Sequence, residues 1–357
     1  MSRNGEGPEA SSRNRPRRAR FTWLKHAFVY AFYWTSRITP RPLVRGALSL
    51  LASVFRVLRR VPGNPIRRGC DDLAAICTLR GHPTTGREVY SDFIRQLRDA
   101  ACMFHEVYFK GPEHAAALVD FPAEDHQRVL DAIESHGGLM AAVPHNVTAS
   151  LAGIGFSQIF PTLLIGKNGD AAWRETIAKE AFSRLGIEPL FVRGKSALKV
   201  SRTMIEAMTR GKVAVATIDN IYRKPNRVEA EIFGGTVGFS PWAVRLAATA
   251  KVPVMPAFMY PENGRIRFET AEPLLSDDVE ALTQHCIAFF EEQILRHPSC
   301  WGFIGHKRWR MVLRQARQRL ESQPELIGTP FEVRSSNLRR REETPAQPAP
   351  SESRIPG

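Results

Sequence analysis

Residues 123–157 read AEDHQRVLDAIESHGG, LMAAV, PHNVTASLAGIGFS, and the two changes of pattern in this stretch decide the fold. The first sixteen residues have the spacing of an amphipathic helix, and Gly137-Gly138 end it. Leu139–Val143 is a short, wholly apolar run, the pattern of a strand buried on both faces. Pro144-His145 follows at once, and a second helix is predicted over 146–157. Downstream the alternation continues with strand 161–166, helix 170–185, strand 189–192, helix 196–210 and strand 213–218. Strand 228–233, helix 240–250, strands 253–259 and 264–270, and helix 277–296 complete it. A further helix covers 87–108, upstream of the alternation. Strands separated by helices of this length predict an α/β fold, with a largely parallel central sheet flanked by helices.

The chain has 357 residues and an ordinary globular composition, 43% hydrophobic and 24% charged. Its net charge of +14 is unevenly placed. Residues 1–70 carry fifteen Lys or Arg against only Glu6 and Glu9, so the remainder is close to neutral. A neutral body with a basic front end suits an anionic partner, and anionic lipid surfaces attract such segments. Residues 1–20 and 321–357 are polar and poor in apolar period, and are expected to be disordered or mostly so. Between them, 21–60 reads as a membrane-interface helical anchor and 61–320 as the α/β domain. The anchor has two pieces, FTWLKHAFVYAFYWTSRI and LVRGALSLLASVFRVLRR, neither long and uncharged enough to span a bilayer. The second is equally readable as a helix covering the core of the domain.

Five cysteines at irregular spacing give no CxxC pair and no zinc pattern, and free thiols point to a reducing compartment. Arg17-Arg18 precedes apolar residues, but Lys25, His26 and Arg37 interrupt them and no small-residue cleavage site follows, so export is not expected. Gly194-Lys195-Ser196 looks like the end of a phosphate-binding loop, yet Pro189 occupies the position where that loop needs glycine. The basic, tryptophan-bearing segment Trp301 to Arg310 fits nucleic-acid stacking or a membrane interface equally well. No nucleic-acid fold signature accompanies it, and nucleic acid is not an expected partner.

His145 is the residue on which the chemistry turns. It follows a buried strand, where open α/β sheets place their sites. There an imidazole can take the proton of an attacking hydroxyl or amine, with helix amides near the developing oxyanion.

The stretch His145-Asn146-Val147-Thr148-Ala149-Ser150-Leu151-Ala152-Gly153 resembles the H-x-x-N-W-E-L-A-G motif of the lipid A late (lauroyl/myristoyl) acyltransferases, within the lysophospholipid acyltransferase superfamily. The histidine, the spacing and Leu-Ala-Gly match. Further blocks follow in the family's order: Arg184-Leu185-Gly186, Arg193 and Gly211-Lys212-Val213, then Ala216-Thr217-Ile218-Asp219-Asn220. Next come Ile232-Phe233-Gly234-Gly235-Thr236 through Pro241, Pro253-Val254-Met255-Pro256, and Trp301 with His306-Lys307-Arg308-Trp309-Arg310. The resemblance covers most of 20–315.

It implies a glycerolipid acyltransferase-like domain on the cytoplasmic face of a bacterial inner membrane. Such a domain transfers a fatty acyl chain from acyl carrier protein or coenzyme A to a lipid hydroxyl or amine. The implied partners are membrane lipids and acyl carrier protein; no metal or bound cofactor is required. The implied catalytic residues are His145, Asp219 and Ser150, with Arg193, Thr236 and Ser240 as substrate-binding candidates.

One departure matters. Ser150 stands where the family has the carboxylate that orients the imidazole. Three readings stay open: Asp219 or another carboxylate replaces it, His145 works slowly with Ser150 or water, or the chain binds lipid or carrier protein without transfer. A carboxylate within hydrogen-bonding range of His145, with Asp219 the first candidate, is the expectation that separates them.

Overall fold

The computed structural model describes residue 35 and residues 38–166, 172–187, 189–192 and 195–323. The expectations for the basic tail, for nearly all of the first aromatic piece, for Arg193 and for the segment beyond 323 lie outside these residues.

Three helices come first. Helix α1 (Arg41–Leu58) starts at a proline, α2 (Pro65–Leu79) is capped by Asn64, and α3 (Gly86–Lys110) opens in a Thr85–Glu88 capping box. Helix α4 (Pro112–Leu118), strand β1 (Val119–Asp120) and α5 (Ala123–His136) lead to the central strand β2 (Leu139–Val143). Gly137 ends α5 with φ 74°, in the left-handed region that glycine enters freely. Then follow α6 (Ala149–Phe156), β3 (Thr162–Gly166), α7 (Ala172–Ser183), β4 (Leu190–Phe191), α8 (Ala197–Met208) and β5 (Val213–Thr217). The chain continues with β6 (Val228–Ile232), β7 (Gly235–Phe239), α9 (Trp242–Ala250), β8 (Val254–Glu262) and β9 (Arg265–Thr270). Helix α10 (Val279–Arg296) and α11 (Lys307–Ser322) close the described fold.

Seven strands form one sheet in the order β1-β9-β8-β2-β5-β3-β4. Strands β8, β2, β5, β3 and β4 run parallel, and β9 turns back antiparallel to β8. The fold is therefore α/β with a largely parallel sheet. Every residue of β2 is buried. Met140 and Ala142 join the apolar cluster on one face, while Leu139, Ala141 and Val143 join the cluster on the other. Period-two alternation across a sheet covered on both sides explains why the strand reads as a continuous apolar run.

The structure departs from the sequence reading in several places, and helices α2 and α4 and the short strand β1 were not predicted. Helix α6 starts three residues later than expected, because Asn146 is held in a bridge to Trp301. Strand 228–233 is one arm of a β6–β7 hairpin whose second arm was not predicted. Its turn is Phe233-Gly234, and Phe233 takes φ 52°, a conformation that costs a non-glycine residue about 1–2 kcal/mol. Burial of the ring beside Trp301 and Trp309 offsets that cost. The segment around Trp309 is helix α11, with Trp309, Leu313, Ala316 and Leu320 inside, and it continues to Ser322. Trp301 and Trp309 are fully buried, so neither meets a membrane interface or stacks on a nucleic acid. Helix α1, readable as anchor or as cover for the core, packs Val44 and Ala52 inward and leaves Leu43, Leu50 and Val57 exposed, and Tyr90 Oη donates to the Phe55 carbonyl at 2.7 Å.

Candidate active site

Strands β2 and β5 pair in parallel with Val143 opposite Thr217. His145 and Asp219 each lie two residues beyond that pair, so the register alone brings them together at the carboxyl edge of the sheet. The imidazole Nδ1 is 2.5 Å from Asp219 Oδ1, and the His145 backbone N–H donates to Asp219 Oδ2 at 3.0 Å. The carboxylate is 2% exposed, whereas the histidine side chain is 33% exposed. An Asp219 carboxylate accepting from Nδ1–H selects the tautomer whose Nε2 carries the free lone pair.

Two indoles fix Asp219 in turn. Trp301 Nε1–H donates to Asp219 Oδ2 at 3.0 Å, and Trp309 Nε1–H donates to the Asp219 carbonyl at 3.0 Å. A buried charge without such donors would be strongly penalised. Phe303 stacks on the imidazole with centroids 4.0 Å apart, and the Gly302 N–H donates to the His145 carbonyl at 2.6 Å. A Cβ at Gly302 would stand 2.7 Å from that same oxygen, so a glycine is required there. Trp301, Gly302, Phe303 and Trp309 are the functional residues that sequence reasoning missed. The tryptophan-bearing terminal signature was legible, but nothing local says that its indoles point inward.

The remaining candidates are placed differently. Ser150 is exposed on the first turn of α6 and makes no hydrogen bond to a described residue, the imidazole included. Exchanging Ser150 for Ala is expected to change kcat less than about threefold, since surface substitutions away from partners are usually within about 0.5 kcal/mol; an assay of the purified variant checks this. Thr236 is exposed opposite Glu231 on the β6–β7 hairpin, and Ser240 lies just past its end. Neither hydrogen-bonds the His145–Asp219 pair. Arg193 is outside the described residues.

Around the imidazole the surroundings are basic and apolar. Arg308 donates to the Ile221 carbonyl at 2.8 Å, the residue two past Asp219. Burial first, then the Arg308 guanidinium and the His145 ring, hold the His306 pKa below the ordinary histidine value, so His306 is neutral near pH 7. Asn146 Nδ2 donates to the Met259 carbonyl at 2.6 Å, while Asn146 Oδ1 and Thr148 Oγ1 are buried without a partner among the described residues. Beneath the strand ends, a cavity of about 30 Å³ lies between Val143, Ala149, Gly153, Phe156 and Met259. That holds about two water molecules. Among the described residues no group of three or more His, Cys, Asp or Glu could hold a metal ion.

Chemically, the site is a carboxylate-oriented imidazole, open to one side, at the edge of a parallel sheet. A family model described as bacterial lipid A biosynthesis acyltransferase matches residues 12–311. No curated protein matches the chain. Among solved structures it is similar to the 1-acyl-sn-glycerophosphate (LPA) acyltransferase PlsC from Thermotoga maritima, at 13% identity and a TM-score of 0.33. That likeness covers 73% of this chain and 96% of the other.

Proposed function

The chain belongs to the bacterial lipid A biosynthesis acyltransferase family, and from that premise we propose that it transfers a fatty acyl chain from a thioester to a lipid hydroxyl or amine. The donor in this reading is acyl carrier protein or coenzyme A, and the acceptor is of the lipid A or phospholipid type. The observation that carries it is an imidazole held at Nδ1 by a buried carboxylate and itself one-third exposed.

The step is a general-base acyl transfer. His145 Nε2 takes the proton of the acceptor as its oxygen or nitrogen bonds the thioester carbonyl carbon. The resulting imidazolium is stabilised by Asp219. Thr148 places no side-chain cap on α6 and the Ala149 N–H goes to the Asn146 carbonyl, so the Ser150 and Leu151 amides are the first-turn donors left for an oxyanion. Collapse of the intermediate breaks the carbon–sulfur bond, and the imidazolium returns its proton to the departing thiolate. The products are the acylated acceptor and the donor with its thiol free, and no water is consumed.

A homologue that binds without transfer was the reading opened by Ser150. An imidazole with only Ser150 and apolar groups around it would have favoured that reading, and the Asp219 contact removes that support.

We place the reaction at the cytoplasmic surface of an inner membrane. The basic front end and the solvent-facing apolar stripe of α1 support this reading. No helix among the described residues is long and apolar enough to cross a membrane. The test is the lipid profile of a strain lacking the gene, complemented with the parent or with His145→Ala. Acylated species are expected to return with the parent alone. Equal restoration by His145→Ala overturns the proposal.

A further inference from the structure

Away from the imidazole, the carboxyl end of α1 meets the amino end of α3 around a surface cavity of about 430 Å³. Small-molecule sites commonly span about 300–1,000 Å³. The polar lining is Arg56, Arg59, Arg60, Arg87, Tyr90 and Ser91, with no carboxylate among them. None of these residues hydrogen-bonds or stacks on His145 or Asp219.

The four guanidiniums are unusually short of partners. Arg56, Arg60 and Arg87 form no ion pair with a described residue. Arg59 reaches Asp71 through Nη2 at 3.5 Å, but Asp71 also serves Arg67, and Arg59 Nε is buried without a partner. Cations suit the carboxyl end of α1, where the helix dipole is negative. The dipole does not account for Arg87, which sits in the first turn of α3, where a cation is disfavoured. Its neighbour Glu88 is engaged in the capping box with Thr85. Tyr90 is fixed as well, donating to the Phe55 carbonyl and accepting from Asn64 Nδ2 at 3.3 Å. Like charges lining one cavity, with only Arg59 paired to a carboxylate among the described residues, are unfavourable until an anion joins them, and guanidiniums match phosphate oxygens in pairs.

We propose that this cavity holds the phosphate of an anionic lipid headgroup at a bilayer surface, as a docking site separate from the catalytic one. The rest of α1 argues for a lipid over a soluble phosphate. Leu43, Leu50, Val54 and Val57 recur at seven, four and three residues, one face of the helix, and that face is turned to solvent. Leu50 is 69% and Val57 63% exposed, and Val57 also lines the cavity. An apolar stripe that runs into a cluster of arginines matches acyl chains lying below their phosphates. The inference rests on the membrane-surface placement above, not on acyl transfer.

Sedimentation of the full chain with vesicles tests it, using phosphatidylcholine alone or phosphatidylcholine with phosphatidylglycerol, at about 0.15 M salt. The parent is expected to prefer the anionic vesicles. The triple variant Arg56→Gln, Arg60→Gln, Arg87→Gln is expected to bind them about a hundredfold more weakly, near fivefold per arginine, with an unchanged melting temperature. His145→Ala is expected to bind as the parent does, which keeps this result apart from any failure of the catalytic reading. Binding to neither vesicle sinks the membrane-surface placement and this site together. Equal binding to both vesicles, or an unweakened triple variant, overturns the headgroup site alone. Tight binding of inorganic phosphate to the parent but not to the triple variant also overturns it, in favour of a soluble phosphate ligand.

Discussion

Changing Asp219 to Asn is expected to lower kcat by roughly 10³–10⁴-fold while leaving the melting temperature nearly unchanged. The fold survives because the amide oxygen can take over the work of Oδ2, accepting from the His145 backbone N–H and from Trp301 Nε1. The amide nitrogen then faces His145 Nδ1, where Oδ1 stood. It can only donate there, so Nδ1 must become the acceptor and Nε2 must carry the proton. A base with its lone pair on the wrong nitrogen cannot take the acceptor's proton. The same exchange in the serine-protease triad costs about 10⁴ in rate with the geometry intact. Asp219→Ala is the poorer experiment. It orphans two buried donors at about 1–3 kcal/mol each and mixes a folding defect into the kinetic one. Steady-state kinetics of the asparagine variant, with a melting curve beside them, decide the matter. More than a tenth of the parent kcat in a stably folded Asp219→Asn would remove Asp219 from the mechanism.

Trp301 is expected to show the largest effect on stability. The side chain is fully buried, against Trp309 at 4.8 Å and Phe233 at 6.2 Å between centroids. Truncation to Ala is expected to destabilise by about 3–5 kcal/mol, the range for emptying a buried aromatic site. Trp301→Phe separates packing from hydrogen bonding. It keeps most of the ring volume and loses the Nε1–H bond to Asp219 Oδ2, a bond to a charged group and so about 1.5–3 kcal/mol. That carboxylate oxygen then depends on the His145 backbone N–H alone, and kcat falls with it.

Trp309→Phe is the matched control. Its lost bond goes to the Asp219 carbonyl, not the carboxylate, so about 1 kcal/mol of stability goes and kcat stays within a fewfold of the parent. Chemical denaturation and kinetics on the three variants test the pattern. Equal kcat for the two Phe variants would mean that the indoles pack the site without orienting it.

Several expectations were answered by contacts that no local pattern encodes. The polar Ser150 kept the place of an orienting carboxylate open in the sequence, but Ser150 is exposed and makes no hydrogen bond to the imidazole, whose carboxylate partner is Asp219. Phe233 reads as the end of a strand because it is apolar and follows Ile232. It is instead the first turn residue of the β6–β7 hairpin, held at positive φ by the two tryptophans. The aromatic and basic residues of α11 carry the composition of an interface, while their spacing buries Trp309, Leu313, Ala316 and Leu320 together. Composition ranks residues by what they tolerate, and burial is settled by which partner arrives.

What the chain alone determined is whatever repeats over a few residues. The helix–strand–helix order around Leu139–Val143, the buried character of that strand and the position of His145 at its end follow from local periodicity, turn chemistry and apolar run length. So does the basic front end, which is only a count of charges. What tertiary structure decided is who stands beside the imidazole. Asp219 arrives from 74 residues away because β2 and β5 pair with Val143 opposite Thr217. Trp301 comes from 82 residues beyond Asp219, across the sheet edge. Strand order and register minimise the free energy of the whole sheet at once, and no window of neighbouring residues contains that sum.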